Sequence, residues 1–269
     1  MLAAITWDAD PFLIHFGDGG LRWYGLMWAV GIYLAWLLND RMYKHENCPK
    51  EWSIQLFFWI TIGAFIGSRL GHCLFYGWTE TGNPYLVNPL RILKIWEGGM
   101  SSHGGAIGVL IATWLLNKYR FSRKPEYKTS WIWILDRVCI GLCATGICIR
   151  FGNLMNSEVY GNPTDLPWGF IFVNGAIHND VPCHPTQIYE ILTLIAALAV
   201  TLYMYRKTDA GKREGLLAGV FGVMVFGSRI LIEFLKSREH LLNMGQILSI
   251  PVVLLGIYFI IRSYKKAKG

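Results

Sequence analysis

Apolar residues in this chain come in long runs rather than at spaced positions. A helix needs about 20 mostly apolar residues to cross a bilayer. Seven runs approach or reach that length: Trp23–Leu38, Ile54–Tyr76, Gly99–Leu116, Trp131–Ile149, Gln187–Tyr205, Gly215–Leu235 and Gly245–Ile261. Short polar connectors separate most of them. The pattern predicts an all-α polytopic membrane protein with about seven transmembrane helices. One connector is longer, from Arg150 to Thr186. It holds Pro163, Pro167, Pro182, Pro185 and the apolar run Trp168–Val173. It reads as an ordered cap with some strand, between helices four and five. No internal repeat, low-complexity stretch or soluble linker interrupts the chain. It therefore reads as a single integral membrane domain, 1–269, with the cap 150–186 inserted in it.

Composition agrees with the runs. Hydrophobic residues make up 53% of the chain and charged residues 16%, against about 25% charged in soluble proteins. Basic residues orient the helices. One set of alternate connectors carries Arg41, Lys44 and Lys50; then Lys118, Arg120, Arg123, Lys124 and Lys128; then Arg206, Lys207, Lys212 and Arg213; then Arg262, Lys265, Lys266 and Lys268. The opposite connectors hold Arg22, Arg91, Lys94, Lys236 and Arg238, with Arg150 at the border. By the positive-inside rule the first set is cytoplasmic, which places the N-terminus outside and the C-terminus in the cytoplasm. The net charge of +7 is then mainly a topology signal. Nucleic acid is not an expected partner, because the basic residues are spread over several short loops.

The first 20 residues lack a basic n-region and contain Asp8, Asp10 and Asp18, so they do not read as a signal peptide. Tryptophans such as Trp23, Trp52, Trp78, Trp96 and Trp131 fall near predicted span ends, as interfacial belts do. Of the six cysteines, Cys73, Cys139, Cys143 and Cys148 lie in spans, so no disulfide framework is expected. Cys139 and Cys143 share a helix face but lack a second ligand pair. They read as small buried hydrophobes rather than a metal site.

Polar groups at membrane depth are costly and usually line a cavity or substrate path. With the topology above, several of them converge on the outer layer. Tyr24 opens the first span, Arg69 and His72 lie in the outer half of the second, and His103 lies about one turn inside the third. Arg150 closes the fourth, followed by Asn153, Asn156, Glu158 and Gly161. Arg229 and Glu233 lie toward the outer end of the sixth. Simpler uses exist for some of these. Arg229 and Glu233 are spaced to neutralise one another. Gly63, Gly67 and Gly71 around Arg69 favour close helix contact. Asp136 and Arg137, near the inner end of the fourth span, read as a structural pair. The glycines around His103 serve either close backbone packing or access for a ligand. Arg150 is harder to dismiss, since no acid lies within a turn before it.

Arginines and a histidine among amides suit an anionic lipid headgroup, because guanidinium binds phosphate through paired charge-assisted hydrogen bonds. No Walker loop, dinucleotide fingerprint, zinc-protease motif or nucleophile elbow is present. A lipid carrier would need polar groups through the full depth, and an intramembrane protease a Ser–His or Asp pair within the spans. Here the polar groups gather in the outer half, and no convincing Ser–His or Asp pair is present. From the residues alone the reading stops at an enzyme or carrier for a phospholipid at the outer face.

Nearly the whole chain resembles the bacterial phosphatidylglycerol–prolipoprotein diacylglyceryl transferases. The matching pieces come in family order: Arg22-Trp-Tyr-Gly-Leu-Met27, Gly67-Ser-Arg-Leu-Gly71, Gly98-Gly-Met-Ser-Ser-His-Gly-Gly105, Arg150-Phe-Gly-Asn153 with Asn156, Glu158 and Gly161, His184-Pro-Thr-Gln-Ile-Tyr-Glu190, Arg229 with Glu233-Phe234, and Met244-Gly-Gln-Ile-Leu-Ser249. The resemblance implies transfer of the diacylglyceryl group of phosphatidylglycerol to a lipobox cysteine in a prolipoprotein signal peptide, with release of glycerol phosphate. It implies a multi-pass protein of the bacterial inner membrane, in contact with membrane lipids, whose active site faces the outer leaflet. It makes His103, Arg150 and Arg229 the catalytic candidates, with Arg150 and Arg229 on the headgroup and His103 as a base. Tyr24, Arg69, Asn153, Asn156, Glu158, Gly161 and Glu233 become substrate-binding candidates, and no metal or cofactor is required. Three positions depart from the family pattern. Ile149 stands where a glycine is usual, Val225 where a tyrosine is frequent, and Cys183 where a basic residue commonly precedes the His-Pro motif.

Overall fold

The computed structural model describes residues 4–17, 19–76, 82–94, 99, 101–127, 129–177, 180–236 and 244–266. Asp18, Trp78, Trp96, Gly98, Met100, Lys128, Arg238 and Lys268, named above, lie outside the described residues. The elements run in order β1 (Ile5–Trp7), β2 (Phe12–Phe16), β3 (Gly19–Arg22), α1 (Trp23–His45) and α2 (Glu51–Gly71), which continues as a π-helical turn at His72–Tyr76. Then come α3 (Pro84–Val87), α4 (Ser102–Tyr119), α5 (Trp131–Met155), β4 (Phe170–Phe172), α6 (Thr186–Lys207) and α7 (Leu216–Phe221). A second π-helical turn, Gly222–Phe226, joins α7 to α8 (Gly227–Glu233), and α9 (Met244–Lys266) follows.

Five helical stretches are long and apolar enough to cross a membrane: Glu51–Phe75, Trp131–Met155, Thr186–Lys207, Leu216–Glu233 and Gly245–Lys266. The remaining two expected spans are helical, as α1 and α4, but fall short of that mark. The exposed side chains have the character of a lipid-facing surface. Phe58, Ile62, Phe65 and Ile66 form an exposed stripe on α2, and Leu254, Leu255, Tyr258 and Ile261 another on α9. Arg137, Gln187 and Gln246, in contrast, are almost fully buried. Apolar side chains outside and polar ones inside is the arrangement a bilayer selects.

Two compact units divide the chain, Met1–Asn39 with Leu135–Gly269, and Asp40–Ile134. In the smaller unit α2 and α4 pack through glycine. A Cβ on Gly67 would lie 2.3 Å from the Gly104 carbonyl oxygen, and one on Gly108 would lie 2.0 Å from that of Gly63. Only glycine permits that approach, so the small-residue contact expected for α2 is met by the glycines that follow His103. An aromatic stack closes this unit, with Trp52 and Phe121 rings 3.9 Å apart and Tyr43 on Trp133 at 5.3 Å. Trp52 is thus buried in a stack rather than set in an interfacial belt, because Phe121 follows α4 directly and covers it.

In the larger unit α1 lies along α5. Thr145 Oγ1 donates to the Gly31 carbonyl at 3.0 Å, and a Cβ on Gly31 would meet the Thr145 backbone at 3.1 Å. Asp136 is fully buried and accepts from the Gly215 and Ala218 N–H groups, both at 2.8 Å, so it caps α7. Beside it Arg137 donates to the Gly211 carbonyl at 2.9 Å. The structural reading of these two residues holds.

Strands bring the N-terminus to the cap. β1 pairs in parallel with β4, matching Ile5 to Phe170 and Trp7 to Phe172. The apolar cluster beneath contains Leu154, Phe170, Phe172 and Cys183, with Trp7, Tyr160, Val181 and Ile188 around it. The expected strand at Trp168–Val173 is therefore present, but its partner is the extreme N-terminal segment. Cys183, one of the three departures noted above, is fully buried in that cluster. None of the six cysteines is joined in a disulfide.

Candidate active site

Arg150 does not stand at the mouth of α5. The helix continues through it to Met155, because Arg150 and Asn153 are three residues apart and meet on one face. Arg150 Nη1 donates to Asn153 Oδ1 at 2.9 Å, and Asn153 Nδ2 donates to Glu158 Oε1 at 2.8 Å. Asn156 Nδ2 reaches the same oxygen at 3.5 Å. Cation, amide and carboxylate thus form one ordered relay across the helix end.

Glu158 sits in a strained turn. Ser157 has φ 51° and Val159 φ 63°, a left-handed conformation that β-branched residues rarely adopt. Such strain costs about 1–3 kcal/mol per residue and persists only where surroundings enforce it. The start of α6 enforces it here. Gln187 Nε2 donates to the Glu158 carbonyl at 2.7 Å and Thr186 Oγ1 to the Val159 carbonyl at 2.8 Å. Both side chains are fully buried. Gly161 follows, and a Cβ there would lie 2.7 Å from the Leu235 carbonyl oxygen and 2.8 Å from His184 Cβ. Its expected site role has a steric basis, since three chain segments meet at that point. His184 accepts partial burial there, which holds its imidazole pKa below the usual value.

Glu190 is the residue that sequence reasoning missed. Its Oε2 pairs with Arg150 Nε and its Oε1 with Lys236 Nζ, the latter at 2.7 Å. The side chains are only 19%, 8% and 12% exposed for Arg150, Glu190 and Lys236, so water screens the triad little. Removing one partner of such a buried pair costs about 3–5 kcal/mol. A signal was available: Glu190 is a carboxylate inside a predicted apolar span, and that alone marks a functional candidate. After these contacts Arg150 keeps Nη2 without a hydrogen-bond partner among the described residues.

Other expected residues fall as follows in the same unit. Tyr24 opens α1 and packs on Gly152, whose absent Cβ would lie 3.1 Å from the Tyr24 Cα. Arg229 lies in α8, just after the second π-helical turn, a distortion that recurs at functional sites. The anticipated Arg229–Glu233 pair is not formed. Among the described residues Arg229 has no hydrogen bond or ion pair, and it is half-buried. Val225, one of the departures, belongs to the π-helical turn itself.

In the smaller unit Arg69 is buried, with donors on four backbone carbonyls. Nε donates to Ile92 at 2.9 Å, Nη1 to Gly99 at 3.2 Å, and Nη2 to Arg91 at 3.0 Å and Lys94 at 2.9 Å. It therefore ties the chain at Arg91–Lys94 and at Gly99 to α2. His103 stands exposed in the first turn of α4, where Ser101 caps the helix by accepting from the Gly104 N–H at 3.2 Å.

Apolar helices of membrane-crossing length, joined to a braced cluster of cations, amides and carboxylates, define a multi-pass membrane protein with a polar site at its helix ends. Similarity to known proteins is specific. The family described as prolipoprotein diacylglyceryl transferase matches residues 11–262, so the chain belongs to that family. A phosphatidylglycerol–prolipoprotein diacylglyceryl transferase of Porphyromonas gingivalis is 42% identical, covering 98% of this chain and 96% of its own. Proteins of the same name from Tolumonas auensis and Chloroherpeton thalassium are 41% and 37% identical, covering 97% and 98% of this chain and 98% and 96% of theirs.

Proposed function

We propose that the chain moves the diacylglyceryl group of phosphatidylglycerol to the thiol of a lipobox cysteine in a prolipoprotein, the first step of lipoprotein maturation. The relatives' names carry both substrates. Within this chain the observation that carries the reading is Arg150, held at Nε by Glu190 and at Nη1 by Asn153, with Nη2 left over. A guanidinium held in that way is suited to a phosphate.

The cysteine sulfur attacks the glyceryl carbon that bears the phosphate. A C–S bond forms, the C–O bond to phosphate breaks, and glycerol phosphate leaves. The phosphate changes from a diester with one negative charge to a monoester with two. Arg150 and Arg229 stabilise the charge that grows, which is where a preorganised cation contributes most. The thiol proton must leave, since thiolate is the reactive form, and His103 is the proposed acceptor. Asn153, Asn156 and Glu158 fix Arg150 within reach of the headgroup. Gly161 and Tyr24 shape the wall beside it, and Glu233 lies one turn beyond Arg229. Arg69 acts through the segment it holds. All seven helical runs are proposed to span the inner membrane as one domain, with the N-terminus outside, the C-terminus in the cytoplasm and the site toward the outer leaflet. The support for this orientation is the distribution of lysine and arginine.

The test is direct. Purified protein with phosphatidylglycerol vesicles and a lipobox peptide should add one diacylglyceryl mass to the cysteine. His103→Ala, Arg150→Ala and Arg229→Ala should insert normally and lose that shift. An unmodified peptide beside an active family member would overturn the assignment.

A further inference from the structure

Arg150 is the proposed phosphate ligand, and the group that aims it comes from another helix. Glu190, one turn into α6, takes the Nε edge of the guanidinium. Asn153 takes Nη1 at 2.9 Å. Each of these is in turn held by a second partner, Asn153 by Glu158 at 2.8 Å and Glu190 by Lys236 at 2.7 Å. Lys236 is anchored through its backbone. Its N–H donates to the Glu233 carbonyl at 3.0 Å, and the neighbouring Leu235 carbonyl accepts from the Asn162 N–H at 2.7 Å. A planar guanidinium gripped on two sides has one direction left in which to point.

We infer that Glu190 is a positioning residue that sets the direction of Arg150, with Lys236 as the counter-charge that fixes Glu190. The inference rests on the reading of Arg150 as a phosphate ligand. Lys236 lies three residues beyond Glu233, where α8 ends. The same ion triad therefore ties α5, which carries Arg150, to the end of the helix that carries Arg229. One buried carboxylate registers both arginines to each other. Without it two cations lie close in a poorly screened site, and Arg150 loses the partner that holds its Nε.

A plain charge-balancing role makes a different prediction, so three variants separate the two. Glu190→Gln keeps the shape and removes the charge. Glu190→Gln combined with Lys236→Met removes the charge and also the surplus cation. Glu190→Asp keeps the charge on a shorter stem. Initial rates are measured in micelles with phosphatidylglycerol varied and lipobox peptide saturating, alongside thermal unfolding. Glu190→Gln is expected to lower kcat by about 100-fold or more, the scale for losing one oriented donor, with a smaller change in KM. The double variant should recover thermal stability but not kcat, and Glu190→Asp should recover part of kcat. Recovery of wild-type kcat in the double variant, or undiminished kcat in Glu190→Gln, overturns the inference alone. An inactive wild-type protein overturns the transferase reading as well, so the two failures are distinguishable.

Discussion

Gly108→Ala is the sharpest probe of how α4, the helix of His103, is held. The added methyl would lie 2.0 Å from the Gly63 carbonyl oxygen, 2.9 Å from its carbon and 3.0 Å from Gly67 Cα. All three are backbone atoms, so no rotamer change can make room. Comfortable contact begins near about 3.5 Å, which requires α2 and α4 to part by about 1.5 Å at this point, and a gap of even about 0.5–1 Å forfeits a quarter to a half of each dispersion contact it crosses. Overpacking of this kind costs about 1–3 kcal/mol. Alanine returns up to about 1 kcal/mol through helix propensity. The expected net loss is about 1–2 kcal/mol, or a fall in Tm of about 2–8 °C for a chain this long.

Two other glycines provide the scale. A methyl on Gly25 meets nothing within 4 Å, so Gly25→Ala should hold or raise Tm. A methyl on Gly105 meets Ser68 Oγ at 2.5 Å, a side-chain atom that can turn aside, so Gly105→Ala should fall between. Tryptophan fluorescence during thermal unfolding in one detergent orders the three. If Gly108→Ala melts with or above Gly25→Ala, the glycine crossing does not hold α4 and the argument fails. Because displacement of α4 also displaces His103, transfer by Gly108→Ala should drop further than its folded fraction.

Two more outcomes follow from the site. Val159→Gly should be more stable than Val159→Ala by about 1 kcal/mol, since only glycine relieves a positive φ; an alanine variant as stable as the glycine one would remove strain from the account of the Glu158 turn. Burial lowers the His184 pKa in the folded protein, so the unfolded chain takes up the proton first. That contribution to stability is complete above the unfolded value of about 6.5 and is lost as pH falls through the lower folded value. Tm should therefore decline on acidification below about pH 6.5, and His184→Asn should flatten that decline; an unchanged slope in the variant would assign the effect to another group.

What could be read along the chain follows from what each signal reports. Long apolar runs report burial in lipid or protein, so the helices were legible, and Arg150, Arg229 and Glu158 stood out as expensive against that background. Partners were not legible. Arg150 finds its acid 40 positions later, a tertiary contact that no spacing within a turn reveals. The strand at Phe170 was anticipated, but pairing with Ile5–Trp7 depends on where two distant segments are carried by α1 and α5. Nothing in Ser-Glu-Val announces a left-handed turn, because its strain is supported by Thr186 and Gln187 rather than by its own residues. Helix α5 outran its apolar stretch because Arg150 and Asn153 satisfy each other on one face, and hydropathy counts only their polarity.

The glycines beside His103 make the same point in chemical terms. Taken alone they fit access for a ligand and close packing equally well. Gly104 and Gly108 face the backbone of Gly67 and Gly63, whereas Gly105 faces the movable hydroxyl of Ser68. The first two are therefore committed to the helix crossing, and only the third could yield space. His103 thus stands at the exposed end of a helix whose glycines immobilise it. That arrangement fits the proposed role of His103 as proton acceptor, since a nucleophile delivered by a separate chain requires fixed geometry in the group that meets it.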